Sequence, residues 1–241
     1  MLQFDKKKFT KILLIVIAII ALSDLAKGDL GAKLYDLAIS LPGLFLAMSV
    51  HESAHAFAAY KLGDDTAKKE GRISLNPLNH LDILGLLSLL VFKIGWGKPV
   101  EYNPYKIKVS DIKKAEAKIA LAGPISNFIL AIVLVIILRL ITKFAVISNT
   151  IIVIGQIITI AIILNVGLGV FNLIPFPPLD GSKVFYKFYE TEIGKFIKEN
   201  QNIFEIIFVF LLLSGHIGNI ISPIINFVIN QMMNLAKIII R

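Results

Sequence analysis

The run His51-Glu52-Ser53-Ala54-His55 holds the residues of this chain best suited to chemistry. On a helix, positions four apart share a face and lie one turn apart. The two imidazoles can therefore hold one zinc ion between them. Glu52 projects from a neighbouring face. It can reach a water on that ion and take its proton as the water attacks a carbonyl. The chain has four histidines and no cysteine. A metal here must use imidazole and carboxylate, and two of the four imidazoles stand in the right pattern.

A catalytic zinc takes three protein ligands and keeps one position open. The candidate for the third is Asp180, in the stretch Asn-Leu-Ile-Pro-Phe-Pro-Pro-Leu-Asp-Gly at 172–181. Pro175, Pro177 and Pro178 end a helix, because proline has no N–H to donate. Gly181 is then expected to let the chain turn. An acid just behind a broken membrane helix can reach inward to a metal. An ordinary loop aspartate fits the spacing equally well. Asn127, in Ala-Gly-Pro-Ile-Ser-Asn at 122–127, has two readings. Its amide can meet a substrate backbone or a developing oxyanion, or it can pack one helix against another. His80 is expected in a solvated loop or in support of the site. His216 is expected to be structural, at a helix interruption.

These residues need a membrane to sit in. Of the 241 residues, 56% are hydrophobic, above the usual 45–50% of soluble domains. The excess lies in long runs, which predicts an all-α polytopic membrane protein of about five to six transmembrane helices. The segments are 12–22, 37–62, 115–141, 150–174 and 203–229, the last open to a break near Gly215 and Pro223. A further run, 84–94, is too short to span and predicts a re-entrant or membrane-embedded element near residues 70–96. The stretch 1–23 also resembles a cleavable signal peptide, but a first transmembrane helix fits it better.

Two histidines and a glutamate inside an apolar helix are costly at bilayer depth and mark functional sites. His51 lies ten residues before Lys61, about 15 Å along a helix, so the site is sunk below the membrane face. Lysine and arginine place that face. With a cytosolic N-terminus, nineteen of them fall inside and six outside, as the positive-inside bias requires. The net charge of +8 is then explained by topology and anionic lipid headgroups. No nucleic-acid motif accompanies it. The chain reads as one membrane-embedded domain, 1–241, without internal repeats.

The three pieces His51 to His55, 122–127 and 172–181 resemble, in the same order, the signature motifs of the site-2 protease family of intramembrane metalloproteases. Gly-Arg-Ile-Ser-Leu-Asn-Pro at 71–77 and Gly-Lys-Pro-Val at 97–100 resemble its compact prokaryotic branch. The likeness covers about 40–190. It implies one zinc ion at His51, His55 and Asp180, with Glu52 as general base and Asn127 in contact with substrate. It implies a multi-pass protein of a prokaryotic cell membrane that cleaves membrane-spanning protein substrates from the cytosolic side. Many members carry a PDZ domain between the second and third motifs, others paired regulatory domains, and this chain has room for neither. Two other functions use the same residues. A metal transporter would need a continuous polar path, and few other intramembrane ligands are available. A non-catalytic scaffold that binds transmembrane segments would have no need of Glu52.

Overall fold

The computed structural model describes residues 30–82 and 97–240, with the single positions 23, 28 and 85. The helices are α1 (Leu30–Lys61), α2 (Thr66–Lys69), α3 (Ile112–Phe144), α4 (Asn149–Asn172), α5 (Asp180–Val184), α6 (Glu192–Glu199), α7 (Gln201–Leu213) and α8 (His216–Ile239). Among the described residues there is no strand, only an isolated antiparallel bridge between Leu81 and Gly97. Three helices, α1, α3 and α4, are long and apolar enough to cross a membrane. The pair α7 and α8, bent by 71° at its break, makes a fourth crossing if it counts as one span. Of the two expected breakpoints the chain breaks at Gly215, whose φ of 77° lies in the left-handed region that glycine tolerates, while Pro223 stays inside α8. The predicted segment 12–22 lies outside the described residues, as does 84–94 apart from Gly85.

The ends of the spans are set by local chemistry. Asp111 accepts from the Lys114 amide at 3.0 Å and caps α3. Ser148 accepts from the Ile151 amide at 3.3 Å and caps α4. Each satisfies a backbone donor that the helix itself cannot. At the other end of α4, prolines at 175, 177 and 178 stop the helix.

Helices α1, α3 and α4 pack against one another. Small residues let their backbones approach, as is usual between membrane helices. A β-carbon at Gly43 of α1 would lie 2.8 Å from the Ala161 Cα of α4. Ala131, Leu134 and Val135 of α3 form one buried cluster with Ala161, Ile162 and Val166 of α4 and Ala236 of α8. Ile129, Val133 and Ile137 of α3 are exposed instead, as a lipid-facing surface requires.

The loops at the Lys61 end of α1 are ordered by two buried charges. Asp64 accepts from the Thr66 amide at 3.0 Å, from the Thr66 hydroxyl at 2.6 Å, and from the Asn103 amide. Arg72 donates to the carbonyls of Asn79, Lys98 and Pro99. The Lys98 amide donates to the His80 carbonyl at 2.7 Å. The 71–82 and 97–103 loops are thereby strapped together over the end of the bundle. His80 is 1% exposed, and its Nε2 lies 2.7 Å from the Ser74 carbonyl. Of its two expected places, a solvated loop or support of the site, burial removes the first, and the side chain fastens this loop.

Candidate metal centre

Helix α1 presents His51 and His55 on one face, with ring centroids 4.6 Å apart and rings nearly perpendicular. Both are buried. Asp180, the first residue of α5, reaches them from beyond the proline break. Its Oδ2 lies 3.1 Å from His51 Nε2 and 3.2 Å from His55 Nε2. All three expected ligands meet at one point, and they are the one such group found among the described residues.

The far side of each ring decides what the near side offers. His55 Nδ1 lies 2.7 Å from the Ile119 carbonyl, and His51 Nδ1 lies 2.6 Å from Asn127 Oδ1. Both partners are acceptors, so each ring carries its hydrogen on Nδ1. In the neutral rings each Nε2 then points a lone pair inward, at a carboxylate that also offers only lone pairs. The carboxylate oxygen lies within 3.2 Å of both nitrogens, and acceptors so placed repel unless a cation, whether a metal ion or a proton, lies between them. Ligand atoms about 2.0–2.1 Å from a tetrahedral zinc would be about 3.3 Å apart, close to the spacings here. The donor set and its outer hydrogen bonds therefore fit zinc.

Two glycines make the convergence possible. A β-carbon at Gly123 of α3 would lie 2.7 Å from His51 Cε1 and 2.5 Å from His55 Cε1. One at Gly181 would lie 2.5 Å from the Leu173 carbonyl oxygen and would also collide with that of Ile174. Gly181 was expected to turn the chain, yet it sits within helix α5. Its service is the missing side chain, which lets Asp180 dock beneath the end of α4.

The metal-facing atoms open on a cavity of about 630 Å³. Glu52 lines it, with Oε1 3.8 Å from where a Gly97 β-carbon would stand. One wall is apolar, with Ile163, Leu168 and Phe171 of α4 facing Leu212 and Ile225 of the bent pair. Tyr102 and Lys183 also line it, and the Lys183 ammonium lies 5.2 Å from the centre of the Tyr102 ring. Burial raises the Tyr102 phenol above its ordinary range, and donation to Glu116 at 3.0 Å adds to that. It stays a donor at neutral pH.

Asn127 is fully buried and is not among the residues that line the cavity. Its Oδ1 faces His51, and its Nδ2 donates to the Ala47 carbonyl at 3.0 Å and to Asn165 Oδ1 at 2.9 Å. The expected contact with substrate or oxyanion has no free amide hydrogen to make it in this arrangement. Asn165 was missed by sequence reasoning. Its signal was a lone amide amid apolar α4 residues, costly in a membrane unless partnered. His216 stands at the exposed start of α8, with its Nδ1 2.7 Å from Ser214 Oγ.

Comparison with known proteins agrees with this geometry. Residues 40–215 match the model of peptidase family M50. The chain is 35% identical over 185 residues to a Bacillus subtilis (strain 168) protein named "Putative zinc metalloprotease YwhC", covering 76% of this chain and 84% of that one. It is 30% identical over 149 residues to "Putative zinc metalloprotease Rip2" of Mycolicibacterium smegmatis (strain ATCC 700084 / mc(2)155), covering 58% and 53% respectively. No solved structure gives a significant match.

Proposed function

The chain belongs to peptidase family M50, the membrane zinc metalloproteases its apolar helices and relatives indicate, and from that premise we propose that it hydrolyses peptide bonds of membrane-spanning proteins within or beside the bilayer. In this reading His51, His55 and Asp180 hold one zinc ion per chain, and Glu52 is the general base. The carrying observation is the meeting of three lone-pair donors, two imidazoles and a carboxylate, at one buried point.

Bound there, zinc would act as a Lewis acid toward the scissile carbonyl and acidify a water. The chain's own residues do the rest. The Glu52 carboxylate would accept a proton as a water oxygen bonds to the carbonyl carbon, and pass it to the amine nitrogen as the C–N bond breaks. The Ile119 carbonyl and Asn127 hold the imidazoles in the ligating tautomer. Asn127 is given this positioning part because both its amide hydrogens are already used. The apolar wall between α4 and the α7–α8 pair suits a transmembrane segment, which must unwind locally because an intact helix shields its carbonyls. Tyr102 and Lys183 supply a polar side to the cavity. The positive-inside bias puts that side, and the N-terminus, in the cytosol.

The test is to incubate the purified chain with single-span proteins in liposomes, with and without a zinc chelator. Cleavage inside or within a few residues of the span, abolished by chelator and restored by zinc, is expected. Cleavage that ignores the chelator would overturn the reading.

A further inference from the structure

Hydrogen-bond chains have a direction, and this one is fixed by two backbone carbonyls that can only accept, those of Ala161 and Ala47. Asn165, fully buried in α4, donates through Nδ2 to the Ala161 carbonyl at 2.8 Å. Its Oδ1 must then face away, toward Asn127. Asn127 donates one amide hydrogen to that oxygen and the other to the Ala47 carbonyl. Its own Oδ1 is left to face His51 Nδ1. Only a hydrogen on Nδ1 satisfies that contact, and it leaves the His51 Nε2 lone pair free.

We infer that Asn165 is a positioning residue for the metal site, acting through Asn127 to lock His51 in its ligating tautomer. Three helices thereby take part in orienting one imidazole, with α4 reading out onto α1 through α3. The inference rests on the metal reading of His51. Without the Asn165 oxygen, one Asn127 hydrogen is stranded in a dry interface. The flipped amide, with its NH2 toward His51, then loses much of its disadvantage. In that orientation Nδ1 must accept, Nε2 carries the hydrogen, and ligation is blocked. His55 needs no such relay, because the Ile119 carbonyl meets its Nδ1 directly.

The experiment compares zinc affinity, by chelator competition on the purified full chain, across a small set of variants. Asn165→Leu, close in shape, is expected to weaken zinc roughly ten- to hundredfold, as losses of outer hydrogen bonds to metal ligands do. Asn165→Asp, which as a buried acid both donates and accepts, should stay within about threefold of wild type. Asn127→Leu and the double variant with Asn165→Leu should be equally weak, because the two residues act in series. Val166→Ala, equally buried on the same helix, should lower the melting temperature and leave zinc affinity unchanged. Full additivity of the two asparagine variants, or wild-type affinity in Asn165→Leu, would overturn the inference.

A second readout needs neither variant folding nor metal. With four histidines in the chain, 15N labelling of imidazoles can resolve the His51 tautomer in the zinc-free wild type. A hydrogen on Nδ1 is expected, whether or not a second sits on Nε2 facing Asp180, and a ring with its hydrogen on Nε2 alone would overturn the inference. A wild type that shows Nδ1–H but binds no zinc would instead overturn the metal reading.

Discussion

Gly123 of α3 lies directly beneath His51 and His55 of α1, so close that a β-carbon there would sit 2.5 Å from one imidazole carbon and 2.7 Å from another. Both neighbours belong to rings fixed by hydrogen bonds at Nδ1. Neither can swing aside without losing its acceptor. Gly123→Ala is therefore expected to reduce zinc affinity at least about tenfold, the scale of a disturbed outer shell. Chelator competition measures it, and unchanged affinity would show the rings have room to yield.

Glu52 lines the cavity beside the metal-facing atoms without belonging to the ligand group. Glu52→Gln keeps the shape and removes the basicity. Zinc content should stay at wild-type level while turnover falls roughly 10²- to 10⁴-fold, the usual contribution of a general base. Metal analysis and a cleavage assay on one preparation check both halves. A variant that cleaves at full rate would remove Glu52 from the mechanism.

Zinc should stabilise the protein, because the three ligands come together only when it is folded. At a hundred times its dissociation constant, zinc adds about 2.7 kcal/mol. Thermal unfolding with and without added zinc should show a rise in melting temperature. Asp180→Ala, one ligand short, should show little or none of it.

Asp64 makes stability depend on pH at a place remote from the metal. Burial disfavours its charged form, but hydrogen bonds from Thr66 and Asn103, with help from Lys106, outweigh that and hold the carboxyl below its ordinary 3.8. A carboxyl lowered on folding stabilises above its unfolded value and loses that contribution as pH falls through the folded one. Asp64→Asn should cost about 1–3 kcal/mol at neutral pH, seen as a lower melting temperature. The gap from wild type should be constant above about pH 5 and narrow below it.

Much of the site could be read from the chain alone because its signals are local. The four-residue step puts His51 and His55 on one face whatever surrounds them. Three prolines mark where α4 stops, and therefore where Asp180 can turn inward. What spacing does not carry is the partner on another helix. Asn127 had two readings on sequence alone, and only its partners on α1 and α4 decide between them, since its hydrogens go to Ala47 and Asn165. His80 looked exposed because its neighbours in sequence are polar, but the strap made by Arg72 buries it. Gly181 looked like a hinge, and only the carbonyls of Leu173 and Ile174 reveal that bulk is what it must lack.

His51 and Asp180 stand 129 positions apart along the chain. A ribosome must therefore synthesise α1, α3 and α4 before the third expected ligand exists. Until then the two imidazoles have no carboxylate to complete the grip. Under the proposed function, a nascent or truncated chain that stops short of Asp180 lacks one ligand and is expected to be inert.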